Sequence, residues 1–179
     1  MKATGIVRRI DDLGRIVIPK EIRRTLRIKD GDALEIYTDT DGEVIFKKYS
    51  PVGELSDFVS TYAEVISKVG NFPVLISDRD HIVAVAGISK REFLERRITP
   101  SAEEFIENRK NYHFSKEQSL LQPVEGMDNQ ALLIYPIISA GDVTGSVIML
   151  STSEKHIPSD SDIKLIQSAS AFLGKQTEE

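Results

Sequence analysis

The first fifty residues carry their apolar side chains in pieces too short and too few to enclose a core of their own. Thr4–Ile10 (TGIVRRI) alternates like a strand, with Ile6, Arg8 and Ile10 on one face. Asp11–Gly14 (DDLG) reads as a turn and Arg15–Ile18 (RIVI) as a second strand. Pro19 stands at the first helical position, where its missing N–H does no harm, and KEIRRTLR continues as a short helix with Ile22 and Leu26 as its apolar stripe. ALEIYTD and EVIFKKY are two further strands around a TDTDGE turn. Four short strands and a two-turn helix make a thin core, and the chain has no cysteine to staple it. The simplest remedy is interlocking: two copies bury each other's Ile, Val and Leu faces, and an obligate, intertwined dimer is expected at this end.

Charge singles out the same segment. The formal net charge is −5, which alone argues against an affinity for polyanions. The sum hides an asymmetry: residues 1–50 hold 11 Lys/Arg against 9 Asp/Glu, a balance of +2, and residues 51–179 hold 12 against 19, a balance of −7. Within 2–29, nine basic residues face three acidic ones. A compact basic segment on an acidic chain is the footprint of a polyanion-binding head, although a solvated basic face on a small domain looks the same on charge alone.

Catalysis fails on counting. The chain has no GxxxxGK[ST] and no GxSxG, and His81, His113 and His156 lie in unrelated segments without any metal-ligand spacing. Asp78/Asp80 and Asp160/Asp162 fall at a turn and a helix start, where aspartate serves local structure. No metal site and no enzyme activity are expected. No apolar run is long enough to span a bilayer and the N-terminus lacks the apolar centre of a secretory signal, so a cytoplasmic protein is expected.

Ser50-Pro51-Val52-Gly53 reads as a boundary, giving domains 1–52 and 53–179. Beyond it, Leu55, Phe58, Val59, Tyr62, Val65, Ile66 and Val69 recur at helical spacing, with a stripe broad enough to meet more than one neighbour. PVLISD and HIVAVAGI read as strands, Ser89–Arg97 and Ser101–Lys110 as helices, the latter with Ser101 and Glu104 as a capping box. ALLIYPIIS and DVTGSVIMLS are central strands around Ala140-Gly141. Ser159 and Asp162 cap a last helix whose Ile163, Leu165, Ile166, Ala169, Phe172 and Leu173 face inward. The order implies an α+β domain, an antiparallel sheet with helices to one side. Leu55, Phe58, Val59, Tyr62 and Ile66 are the expected oligomerisation residues, through a bundle of this helix and the last one from two chains. Phe72, Phe93, Phe105, Tyr112 and Tyr135 either line a ligand pocket or are ordinary core.

The run TGIVRRIDDLGRIVIPKEIRRTLRIKDGDALEIY, and above all GRIVIPKEIRR within it, resembles the AbrB-type swapped-hairpin transition-state regulators from Thr4 to Tyr49. The second half resembles GAF domains in topology and closing helix. The resemblance implies a β-rich, intertwined dimer with one short helix, assembled into a tetramer, that binds double-stranded DNA. It further implies activation and repression of late sporulation genes in the forespore, in association with the nucleoid. The family's DNA contacts carry over onto Arg8 in TGIVRRI, Arg15 in LGRIVIP, and Arg23 and Arg24 in KEIRRTL. Lys2, Arg9 and Arg27 are further candidates, and Arg27 stands where relatives commonly have glycine. Arginine suits the task because its planar fork binds phosphate or guanine bidentately, and no aromatics are interleaved for stacking on single strands. The resemblance fixes no cofactor for the second half, where a small-molecule effector is left open. The alternative is an antitoxin of the same swapped-hairpin fold, whose tail would be short and disordered rather than core-forming.

Overall fold

The computed structural model describes residues 4–115, 120–152 and 157–178. The chain divides into two compact units, Met1–Tyr49 and Ser50–Glu179. The division falls just before the expected boundary because Ser50 and Pro51 open a helical turn whose Val52 is fully buried in the second unit.

In the first unit, helix α1 (Lys20–Thr25) precedes an antiparallel pair, β1 (Leu34–Thr38) and β2 (Val44–Lys48), in register Leu34↔Lys48 to Thr38↔Val44. This pair is the one expected from ALEIYTD and EVIFKKY. The two strands expected at Thr4–Ile10 and Arg15–Ile18 join no ladder within the chain; only their connecting turn is closed, by Asp11 N–H donating to the Arg15 carbonyl at 3.1 Å and Gly14 N–H to the Asp11 carbonyl at 3.0 Å. Backbone that is not paired inside one chain is backbone left for another partner. The apolar side chains follow suit: Val7 is 85% exposed, Leu13 69% and Val17 72%. Along β1 and β2, Ile36, Val44 and Phe46 are exposed as well.

The second unit is built the other way, with a dry interior on both sides of its sheet. It comprises α2 (Pro51–Glu54), α3 (Ser56–Gly70), β3 (Val74–Ser77), β4 (Ile82–Ala86), α4 (Lys90–Phe93), α5 (Pro100–Glu107), β5 (Tyr112–His113), β6 (Ala131–Ser139), β7 (Asp142–Leu150) and α6 (Asp160–Gln176). The sheet is antiparallel with strand order β4-β3-β7-β6-β5. Val74, Ile76, Leu133, Val147 and Met149 on one face pack with Val59, Ala63 and Ile66 of α3 and Ile166, Ala169 and Leu173 of α6. Leu75, Ile134, Ile148 and Leu150 on the other face pack with Phe93 of α4 and Ala102 and Ile106 of α5. Both faces being covered explains why β6 and β7 read as near-continuous apolar runs rather than alternating ones. Among the buried polar residues of the sheet, Ser77 and Ser146 satisfy each other through a hydroxyl pair at 2.7 Å, and the Thr144 hydroxyl donates to the Ile137 carbonyl at 3.4 Å.

Helices therefore cover both sides of the sheet, not one. Three local readings also change. The helix expected over Ser89–Arg97 stops at Phe93, because Glu95 turns to φ 63° and the chain runs back along β4, with Ile82 N–H donating to the Arg96 carbonyl at 2.9 Å. Helix α5 is capped by Thr99, whose hydroxyl accepts from Ala102 N–H at 3.3 Å with Pro100 next in line; Ser101 lies inside the helix. Phe172 is exposed on α6, not buried. The Ser159–Asp162 capping box is present as expected.

Gly174 lets α6 lie close against the sheet, since a Cβ there would collide with the Ile138 carbonyl oxygen. In an exposed helix alanine would be favoured over glycine by about 1 kcal/mol, but overpacking of this kind costs about 1–3 kcal/mol. Gly174→Ala is expected to destabilise the second unit, read as a lower denaturant midpoint in full-length protein; an unchanged or raised midpoint would count against the packing described.

Candidate nucleic-acid interface

The hairpin turn is organised by one carboxylate. Asp11 Oδ1 accepts from the backbone N–H of Leu13 at 3.0 Å and of Arg15 at 2.7 Å, while Oδ2 accepts from Arg15 Nε at 2.8 Å. Gly14 supplies the left-handed residue, at φ 75°, that lets the chain reverse within four residues. The backbone N–H of Arg15, and after it the guanidinium, hold the Asp11 carboxyl below its ordinary value of 3.8. A depressed carboxylate pKa adds stability above the ordinary value that is lost as pH falls through the folded value, so this turn is fully made at neutral pH.

Arg23 and Arg24 are placed by α1. Pro19, buried, precedes the helix and accepts from Arg23 N–H at 3.0 Å. The helix ends after Leu26 in a Schellman pattern: Ile28 N–H reaches back to the Arg23 carbonyl at 2.8 Å and Arg27 N–H to that of Arg24 at 3.3 Å. The left-handed residue this needs is Arg27, at φ 53°. The helix end is thus kept in spite of the missing glycine. Part of the compensation comes from β2, where Lys48 Nζ donates to the Arg27 carbonyl at 3.1 Å and pairs with Asp32 at 3.4 Å. Lys48 is therefore a brace for the helix end. Lys47 instead lies over the Tyr37 ring, 4.6 Å from its centre.

The four principal arginines are not equivalent. Arg8 and Arg24 are exposed and their side chains make no hydrogen bond or ion pair among the described residues, as is true of the Arg9 side chain. Arg15 is held by Asp11 with its side chain 70% exposed. Arg23 is half-buried and pairs through Nη1 with Asp30 at 2.7 Å, while its buried Nε finds no partner among the described residues. Lys2 lies outside the described residues. The sequence offers Asp11 only as a surface ion-pair partner for these arginines, and that pairing forms with Arg15; its hold on the turn backbone was missed, although an aspartate opening a four-residue turn to glycine and arginine is the ordinary signal for it.

The second unit holds the other candidate residues. Of the expected oligomerisation set, Val59 and Ile66 are buried in the unit's own core, Leu55 and Tyr62 are partly buried against it, and Phe58 is exposed. The outward surface of α3 and α6 is instead an aromatic cluster of Phe58, Tyr62 and Phe172, with ring centres 5.1 to 6.1 Å apart, continued along α3 by exposed Val65 and Val69. The five aromatics weighed as a pocket lining do not converge. Phe72 and Tyr135 belong to the α3/α6 side of the sheet, and Phe93, Phe105 and Tyr112 to the α4/α5 side. His113 accompanies Tyr135 in a side-chain hydrogen bond at 2.8 Å. No metal-binding cluster is found among the described residues, and none of their helices is long and apolar enough to cross a membrane.

Comparison with known proteins agrees with this division. Residues 54–178 match the family described as Stage V sporulation protein T C-terminal, transcription factor, and residues 7–54 match Antidote-toxin recognition MazE, bacterial antitoxin. Stage V sporulation protein T of Bacillus subtilis (strain 168) is 46% identical over 181 residues, covering 100% of both chains. Transition state regulatory protein AbrB of the same organism is 59% identical over 63 residues, 32% of this chain and 65% of that protein. The GAF domain/HD domain protein from Geobacter sulfurreducens matches with a TM-score of 0.55 at 15% identity, covering 70% of this chain and 93% of that one, which shows a shared fold for the second unit.

Left-handed backbone costs a residue with a Cβ about 1–2 kcal/mol, of which glycine's greater freedom in the unfolded chain offsets part. Arg27→Gly is expected to stabilise the first unit by roughly 0.5–1 kcal/mol. Thermal unfolding of the full chain checks this, and no upward shift would contradict the helix end described.

Proposed function

The chain belongs to the stage V sporulation protein T family, and from that premise we propose that it is a DNA-binding regulator of sporulation transcription that works as a homo-oligomer. The observation that carries the reading is the first unit itself: extended segments without a ladder, apolar side chains in water, and basic side chains clustered along the hairpin and α1. A second copy supplies what is missing, since interleaved hairpins would pair the open backbone at Thr4–Ile10 and Arg15–Ile18 and dry Val7, Ile10, Ile16 and Val17 together. Arg8, Arg15, Arg23 and Arg24 are then doubled about a two-fold axis, with Arg9 and Arg27 beside them. The recognised ligand is duplex DNA, gripped through phosphates and read by shape and guanidinium contacts.

The exposed aromatic face of α3 and α6 is the second self-association surface, joining two second units in a helical bundle and raising a dimer to a tetramer. The protein acts without catalysis, in the cytoplasm of the forespore, as activator or repressor according to where its site lies. The antitoxin reading is supported by the family matched at residues 7–54. Against it stands Ser50–Glu179, a folded unit with a core on both faces of its sheet rather than a short disordered tail.

Two experiments test this. Arg15→Ala and Arg23→Ala are each expected to weaken duplex binding while the oligomer survives, against a wild-type log–log salt slope near −7 for roughly eight phosphates per dimer; mobility shifts unchanged in both variants would end the hairpin-and-helix reading. Phe58→Asp is expected to halve the assembly in sedimentation without unfolding the second unit. An assembly of unaltered mass would remove α3 and α6 from the interface.

A further inference from the structure

Arg15 alone among the four principal arginines is fixed in direction by a group that is itself fixed. Asp30, the partner of Arg23, has its side chain 96% exposed, whereas the Asp11 side chain is 37% exposed. Both backbone bonds to Asp11 Oδ1 tie the carboxylate to the turn, leaving Oδ2 directed at Arg15 Nε. The guanidinium is thus engaged through Nε, and its two Nη groups make no hydrogen bond among the described residues. Those Nη groups are the pair that can approach two acceptors of a phosphate or a guanine edge together. An exposed arginine without such a holder spreads over many rotamers and must be ordered at the moment of binding, whereas a held one has been ordered already by the fold.

We infer that Asp11 is a positioning residue for DNA recognition, presenting the Nη edge of Arg15 in one orientation and penalising duplexes that do not meet it there. The inference rests on the reading of the first unit as the DNA-binding head. The penalty has a physical origin. A phosphate that approaches Arg15 off that direction must either pull the guanidinium from Asp11 or come close to the carboxylate, and both are unfavourable. Discrimination between sequences then exceeds what four free arginines would give, while the overall attraction to duplex is slightly reduced.

The competing explanation is that Asp11 merely makes the turn. Asp11→Asn separates the two, because asparagine keeps an Oδ1 acceptor for the Leu13 and Arg15 N–H groups but places an amide donor against Arg15 Nε. Asp12→Asn, one residue along in the same turn, removes the same charge without touching the clamp. The probes are a duplex recovered from a random pool by selection on the wild-type full-length protein, and an unrelated duplex of equal length. In Asp11→Asn the ratio of selected to unrelated affinity should fall on the order of 3- to 10-fold with the oligomer intact. It should stay near wild type in Asp12→Asn, and Asp11→Asn should have no further effect on the ratio in an Arg15→Ala background. In the absence of DNA, the Arg15 Nε–H resonance should lose its protection from exchange in Asp11→Asn and keep it in Asp12→Asn.

A wild type that binds duplex DNA, with Asp11→Asn indistinguishable from Asp12→Asn or with its effect undiminished in Arg15→Ala, overturns this inference alone. A wild type with no preference for any duplex over a neutral control overturns the DNA-binding reading, and the inference with it.

Discussion

Water on the large apolar side chains of the first unit is the constraint from which the rest follows. A hydrophobic side chain left exposed forgoes roughly 1.5–3 kcal/mol of burial, and this unit leaves Val7, Ile10, Leu13, Val17 and Ile36 mostly in solvent. Its backbone repeats the deficit, because the segments on either side of the Asp11–Gly14 turn have no ladder inside the chain. Little within the unit offsets either deficit: it has no cysteine and, among the described residues, one six-residue helix. On the proposed reading, another copy supplies what these residues lack.

The second unit solves the same problem by size. Its sheet is covered on both faces, helices α2, α5 and α6 carry side-chain N-caps, and the buried Ser77–Ser146 pair is internally matched. Outside that core it keeps an aromatic cluster, at Phe58, Tyr62 and Phe172. The chain therefore combines one unit whose apolar side chains are largely in solvent with one that has a closed core and an exposed aromatic surface. On the proposed reading this arrangement suits a DNA-binding assembly, where joining two dimers brings further arginine sets to one duplex without new contacts in the binding surface itself.

What could be read from the residues was what short-range chemistry decides. The β1–β2 pair, the long helix α3 ending at left-handed Asn71, the β6–β7 hairpin and the Ser159–Asp162 box depend on neighbours in sequence, and each stood where the pattern put it. The misreadings lie where distant residues overrule the pattern. Helix α4 is cut short by backbone bonds between Glu95, Arg96 and Ile82, and Phe172 faces outward although its spacing fits the inward stripe of α6. Thr99 takes the cap from Ser101 because Pro100 suits the first helical position, and this could have been seen in the sequence. In the candidate site the arginines were legible as residue types. Asp11 was legible as a surface partner for an arginine but not as the group that ties the turn, a role that depends on the turn closing first, and Asp30 was not legible because it lies seven residues from Arg23.

Those carboxylates also bear on how an acidic chain can serve a polyanion. Residues 51–179 carry −7, and inside the basic head Asp11 and Asp30 already occupy a donor of Arg15 and Arg23. A head built for the tightest grip on any phosphate would have neither. Indiscriminate affinity is a handicap for a regulator, because a genome offers vastly more unrelated sites than correct ones and what matters is the ratio between the two. Lowering the general attraction while fixing the direction of selected guanidinium groups shifts that ratio in the useful sense. On the proposed reading, the acidic residues among the arginines are part of the recognition surface, and strength of binding is given up for selectivity.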